Sequence, residues 1–519
     1  MLNRAVNRRE PWDIVVIGGG AVGMGVAVDA ASRGYDVLLV EQHDFGKGTS
    51  SRSTKLVHGG VRYLEQGNIA LVMEALKERG LLRQNAPHLV TDLAFVVPNY
   101  EWWEAPFYGV GLKVYDMLAG RYGFGTSQML SKDETLARLP TIKTEGLRGG
   151  VVYYDGQFDD ARLLINLTAT AVEQGGVTLN YTPATAITLD GDGFVDGILA
   201  RDIESGREFR AAARVVVNAA GPQSDLVRRL VHPDAAPLIA PSQGIHLVFD
   251  GSFLPGGNAI MVPHTTDGRV MFAIPWHGHT VVGTTDTAIT DVALEPRPFE
   301  EEIEFILETA GRYLRRPITR ADVLSVFVGI RPLVRSGAGS NTASLSRDHT
   351  IHIDPSGLLT IVGGKWTTYR HMAEDCVDHA ATLARLIEKP CVTRNLNVHG
   401  FHRQAKNFGA LSVYGSDALL IQDLIRAEPA LGARLHTALP YCAAEVVWAA
   451  RVDMARTVED VLARRTRALF LNARAAIEMA DETARLLARE LGRDAAWQAE
   501  QVASFRGLAQ GYLVTACPP

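Results

Sequence analysis

The chain opens on a polar stretch and then settles into a strand-like pattern. Residues 13–17 form a short apolar, β-branched run that stops at Gly18, Gly19 and Gly20. Residues 21–32 carry small and apolar side chains at helical spacing, closed by Gly34, and residues 36–40 return to a buried-strand pattern. Strand, glycine turn, helix and strand within about 30 residues predict a βαβ unit, since parallel strands need that crossover. Residues 177–217 read as short alternating strands, with Asp190, Gly191, Asp192 and Gly193 as a hairpin turn. Residues 244–286 are again strand-rich, with turns at 255–257 and 267–268, and 358–362 is a short apolar strand halted by Gly363 and Gly364.

After about residue 390 the texture changes, and from 417 to 510 alanine, leucine, arginine and glutamate dominate. Ile477, Ala480, Ala484, Leu487 and Leu491 make one helical stripe, with Asn472 as a cap and Gly492 as terminator. This predicts a separate helical C-terminal domain.

Composition narrows the class. A chain of 519 residues predicts about three domains, and 47% hydrophobic with 21% charged residues is globular. A net charge of −6 excludes a basic nucleic-acid binder of the whole-molecule kind. Cys376, Cys391, Cys442 and Cys517 show neither a C-x-x-C pair nor metal-ligand spacing, which argues for a reducing compartment and against a disulfide frame or a metal site. No apolar run approaches the roughly 18 residues of a membrane span, and the N-terminus lacks the apolar core of a secretory signal. The expectation is a cytosol-facing α/β enzyme.

Gly18-x-Gly20-x-x-Gly23 follows the first strand and opens the helix, and Glu41 ends the next strand. In that pattern Gly18 permits the tight turn, Gly20 lets backbone approach a pyrophosphate, and Gly23 lets helix and strand pack closely. The helix N-terminus offers N–H groups to phosphate, and Glu41 can accept from a ribose 2′-hydroxyl. The fingerprint does not distinguish NAD from FAD. The segment that follows clusters hydroxyls (Thr49, Ser50, Ser51, Ser53, Thr54) ahead of Lys55, His58, Arg62 and Tyr63, a run of donors for a pyrophosphate, a ribityl chain or a flavin ring.

That segment, with the glycine turn and with Asp159-Asp160-Ala161-Arg162-Leu163, Gly283-Thr284-Thr285-Asp286, Gly329-Ile330-Arg331-Pro332-Leu333 and Gly363-Gly364-Lys365-Trp366-Thr367-Thr368, resembles the FAD-dependent glycerol-3-phosphate dehydrogenases. These lie within the wider glycine-oxidase and D-amino-acid-oxidase-like flavoproteins. The resemblance covers nearly the whole chain, down to Arg464-Arg465-Thr466 in the helical tail. It implies a Rossmann-like FAD-binding domain (12–85, 151–240 and 341–390) interleaved with a mixed-sheet substrate domain (86–150, facing substrate and membrane, and 241–340), followed by a helical domain from 391 to 519. It implies FAD held by Gly18, Gly20, Gly23, Glu41, Thr49, Ser50, Ser51, Lys55, His58, Ala184, Gly221, Gly364, Lys365, Thr367 and Thr368.

A glycerol phosphate carries close to two negative charges and an alcohol that loses a proton and a hydride. Holding the phosphate calls for guanidinium and ammonium groups. Arg331 ends an apolar run, and by resemblance it grips the substrate anion, with Arg62, Tyr63 and Lys365 as further contacts. A histidine suits the hydroxyl proton; His58 in the flavin loop and His246 in a strand of the substrate domain compete, and the sequence does not rank them.

Residues 100–124 hold eight aromatics, with Lys113 and Arg121 among them. This fits either an aromatic wall of the substrate domain or an interfacial membrane contact. The resemblance favours a monotopic enzyme on the cytoplasmic face of a membrane, with quinone as acceptor, and it allows a homodimer. Rival readings are a glycerophosphate oxidase passing electrons to oxygen, an amine or amino-acid oxidase of the wider group, and a flavin-binding sensor without turnover.

Overall fold

The computed structural model of the chain describes residues 1–60, 68–101, 104–263, 265, 270–335 and 348–515. Its first sheet runs, in spatial order, through His349–Ile353, Leu359–Gly363, Glu208–Asn218, Trp12–Ile17, Val37–Val40 and Val177–Leu179. All neighbours are parallel except the antiparallel edge strand His349–Ile353. The centre of this sheet is buried on both faces, which is why Ile14, Val15, Val16, Val216 and Val217 read as continuous rather than alternating hydrophobics. The helix Ala21–Ser32 makes the crossover between Trp12–Ile17 and Val37–Val40. The hairpin Ala184–Leu189/Val195–Arg201 closes at Asp190, whose carboxylate accepts the N–H of Asp192 and of Phe194.

A second, ten-stranded sheet is built around Ile239–Asp250, Met271–Trp276, Val90–Asn99 and Gly149–Phe158, with Ser325–Val334 paired to Ile239–Asp250. Two pieces expected in the cofactor domain belong here: Leu56–Val57 and residues 151–158 of the strand Gly149–Phe158 pair within this sheet. The chain crosses between the sheets four times, as the expected boundaries imply, but the first crossing falls before Leu56 and the second after Phe158. The turn expected at 267–268 lies outside the described residues. Asn472 caps Ala473–Leu491 by accepting the N–H of Ala475, and Gly492 ends it in the left-handed region. The helical region shares its core with the second sheet: Phe470 packs on Phe327, and Ser325 donates to the carbonyl of Leu469.

Candidate functional site

Between the two sheets lies a cavity of about 470 Å³, lined by the glycine turn and by the strand pair Ile239–Asp250/Ser325–Val334. At Gly18, φ is +113°, and a Cβ there would sit 2.6 Å from the Ala219 carbonyl oxygen. A Cβ on Gly23 would overlap the carbonyl of Gly18, so this glycine serves the site by letting the helix approach. Glu41 lines the cavity, with one carboxylate oxygen accepting the N–H of Gly19 (2.7 Å) and the other that of His43 (2.9 Å). Burial raises its pKa, and those two N–H groups oppose the rise.

The hydroxyl segment forms a turn of 3-10 helix at Thr49–Ser51. Ser50 Oγ accepts from Ala21 N (2.9 Å), tying the loop to the helix N-terminus, and Thr49 donates to the Ile330 carbonyl (2.6 Å). Thr49, Ser50, His58, Gly221, Gly364, Lys365 and Thr367 all line the cavity, and the His58 N–H donates to Thr367 Oγ1 (3.2 Å).

Besides Gly23, four expected cofactor contacts do not line it. Lys55 is fully buried, paired with Asp160 (2.7 Å) and ringed by Trp276, Phe327 and Phe470; burial pulls its pKa down to about 7 against the pull of Asp160. The Ser51 side chain is buried, and its carbonyl accepts from Lys55 and Arg467. Thr368 turns back to donate to the Lys365 carbonyl at the start of Tyr369–Leu383. Ala184 lies on the hairpin beyond the edge of the cavity. Lys55 and Ser51 are placed by Asp160 and Arg467 from distant parts of the chain, whereas Thr368 and Ala184 are held by local contacts. Arg62 and Tyr63 lie outside the described residues.

At the far end, register brings the chemistry together. His246 pairs with Phe327, Gly244 with Gly329 and Ser242 with Arg331, so alternate positions put His246, Gly244, Gly329 and Arg331 on one face. Gly244 is required: a Cβ there would lie 2.5 Å from the Thr285 carbonyl oxygen and as close to a nitrogen of the Arg331 guanidinium. That guanidinium pairs with Asp286 (3.3 Å) and donates to Thr284 Oγ1 (3.1 Å) and the Thr285 carbonyl (3.0 Å). His246 stacks on Phe327 (4.8 Å, 12°), with its Nε2 2.9 Å from Thr54 Oγ1. Burial, then Lys55 and Arg331, hold its pKa well below the usual histidine value, so the imidazole is neutral at neutral pH. Thr54, Asp286 and Thr284 complete the site. Sequence signalled none of them individually, since only register and sheet contact give each a role.

Of the aromatic segment, Tyr108, Tyr115 and Phe124 are buried, as a wall of the substrate domain would be. Tyr115 accepts the N–H of Gly59 and donates to Asp155 beside the cavity. The opposite face of Glu104–Ala119 exposes Phe107 (51%), Val110 (68%), Val114 (40%) and Met117 (83%), a continuous apolar stripe at helical spacing. Trp102 and Trp103 lie outside the described residues.

A glycine-cradled dinucleotide site on one sheet, opening onto a cation and a neutral histidine on another, defines a dinucleotide-dependent oxidoreductase. Residues 13–370 match the family model "FAD dependent oxidoreductase", and residues 359–498 match the "C-terminal domain of alpha-glycerophosphate oxidase". The probable mitochondrial glycerol-3-phosphate dehydrogenase of Caenorhabditis elegans is 40% identical, over 96% of this chain and 73% of its own. The human mitochondrial glycerol-3-phosphate dehydrogenase is 40% identical, over 95% of this chain and 72% of its own. The crystal structure of glycerol-3-phosphate dehydrogenase from Bacillus halodurans, complexed with FAD, superposes with a TM-score of 0.80 at 30% identity, covering 100% of this chain and 97% of that one.

The chain belongs to the FAD-dependent oxidoreductase family and, within it, to the glycerol-3-phosphate dehydrogenases. Its cofactor is FAD, and the residues fit it: Gly18, Gly20, Gly48 and Gly221 line the cavity, and a Cβ on Gly48 or Gly221 would meet nothing within 4 Å, so bare backbone faces open space there.

Proposed function

We propose that the protein oxidises sn-glycerol 3-phosphate to dihydroxyacetone phosphate and passes the electrons to a membrane quinone. The observation that carries this is the shared face of His246 and Arg331 at the end of the cavity that begins at the glycine cradle. That the relatives are glycerol-3-phosphate dehydrogenases supports the substrate. FAD bound in the cavity supplies the hydride acceptor. Arg331, already oriented by Asp286 and Thr284, holds the phosphate, and Lys365 adds a second cation. His246, kept neutral by its surroundings, accepts the hydroxyl proton on its imidazole as the hydride leaves C2; His58 is the other candidate for that role.

The apolar stripe of Glu104–Ala119 supports contact with a membrane surface, where the quinone resides. Among the described residues no helix is long and apolar enough to cross a membrane. The match to the C-terminal domain of alpha-glycerophosphate oxidase favours a second reading in which oxygen takes the electrons. Anaerobic mixing of the purified holoprotein with glycerol 3-phosphate tests the reaction: the flavin should bleach, and a short-chain quinone should restore its colour. A flavin that stays oxidised would overturn the proposal, whereas rapid reoxidation by air with release of peroxide would establish the oxidase reading.

A further inference from the structure

The helical C-terminal region reaches the loop after Val37–Val40 through a short stretch, residues 459–467. Asp44 sits in the loop after Val37–Val40, fully buried, and pairs with both Arg464 and Arg465, the last two residues of a turn of π-helix at Asp460–Arg465. Arg465 also reaches the other Asp44 oxygen (2.9 Å) and the Asp453 carbonyl (2.6 Å), while Arg464 is braced by Glu459 (2.7 Å) and Asp460 (2.8 Å). Against burial, which would raise it, Arg465 and Arg464 hold the Asp44 carboxyl below the usual carboxylate range. Three residues on, Lys47 pairs with Glu459 (2.7 Å). At the far end of the same loop Arg467 donates to the Ser51 carbonyl (2.8 Å) and to Asp160 (3.1 Å).

Between these anchors lie Gly46, Lys47, Gly48, Thr49 and Ser50, all lining the FAD cavity. The loop therefore makes the cofactor wall, but much of its fixed geometry comes from side chains more than 400 residues away in sequence. Left to itself, a glycine-containing loop would sample many conformations and lose that freedom on binding. We infer that residues 459–467 act as a clamp that pre-forms the FAD-binding loop, so that Arg464, Arg465 and Arg467 are positioning residues for the cofactor and the C-terminal domain governs how long FAD stays bound. The inference rests on FAD binding and not on the substrate.

Two measurements on the full chain test it. The first is FAD release from holoprotein on dilution, followed by the rise in free-flavin fluorescence, in Arg465→Met, Arg465→Lys and Glu459→Gln. The second is hydrogen exchange in peptides spanning residues 453–471, with and without FAD, in the unaltered protein. Because coupling between sites is reciprocal, a clamp that retains FAD is itself stabilised by FAD. The expected result is release at least about fivefold faster in Arg465→Met and Glu459→Gln, an intermediate rate in Arg465→Lys, and slower exchange across 453–471 when FAD is present. Should Arg465→Met fail to fold, Glu459→Gln and the exchange data decide. Unchanged release in Glu459→Gln, together with exchange across 453–471 that ignores FAD, would overturn the clamp and leave these arginines as fold-holding groups only.

Discussion

Thr54→Val gives the sharpest test of the site. The substitution keeps the branched shape of the side chain and removes the hydroxyl that lies 2.9 Å from His246 Nε2. The ring plane survives the change, because it is set by the stack on Phe327 and by Gly283, where a Cβ would collide with the imidazole. What is lost is the hydroxyl that holds Nε2, able to donate to the bare nitrogen or to accept from its N–H as the ring gains and loses a proton. Among the described residues His246 Nδ1 has no hydrogen-bond partner, so the Thr54 contact is what holds the polar edge of the ring. One neutral hydrogen bond is worth about 0.5–1.5 kcal/mol net, which corresponds to a rate change of roughly two- to thirteenfold. Stopped-flow reduction of the flavin by glycerol 3-phosphate under anaerobic conditions should slow by about that factor, with substrate affinity unchanged and Thr54→Ser restoring the rate. Reduction at the unaltered rate in Thr54→Val, with His246→Gln strongly impaired, would refute the idea that the hydroxyl orients the base.

Other outcomes follow from the same geometry. Arg331→Lys keeps the charge but loses the planar donor fork; at about 1.5–3 kcal/mol for a charge-assisted contact, KM for glycerol 3-phosphate should rise roughly ten- to 150-fold, with a smaller effect on kcat. Gly18→Ala places a methyl group against the Ala219 carbonyl at a φ of +113°, so the protein should purify with little or no flavin by absorbance. His246 is held neutral in the fold and takes up a proton in the unfolded chain below the ordinary histidine value of about 6.5. The unfolded state then binds more protons, so stability falls as pH drops through that value, and urea midpoints measured from pH 7.5 to 5.5 should fall less in His246→Gln. Replacing Val110 and Met117 with serine should reduce co-sedimentation with anionic vesicles while leaving flavin reduction in solution intact.

What the chain states locally was readable in advance. The glycine turn, the helix after it, the hairpin at Asp190 and the capped helix ending at Gly492 are each fixed by contacts within a few residues, so periodicity and turn chemistry suffice for them. The hydroxyl segment is a harder case. Thr49 and Ser50 do line the cavity, yet Ser51 and Lys55, of the same chemical types, are turned away from it. Nothing in their neighbourhood distinguishes them, because the difference is Asp160 and Arg467, which arrive from elsewhere in the chain.

By itself the sequence determined a strand–glycine–helix junction of the kind that holds a dinucleotide, since that junction is a matter of backbone conformation and close approach over six residues. Only the tertiary structure decided which side chains face the cofactor and which hold the fold. Antiparallel register set His246 and Arg331 on one face. Burial set the charge state of His246 and tied Lys55 to Asp160 rather than to a ligand. A side chain's direction and its proton both depend on what packs against it, and those neighbours are assembled by chain crossings that no local pattern records.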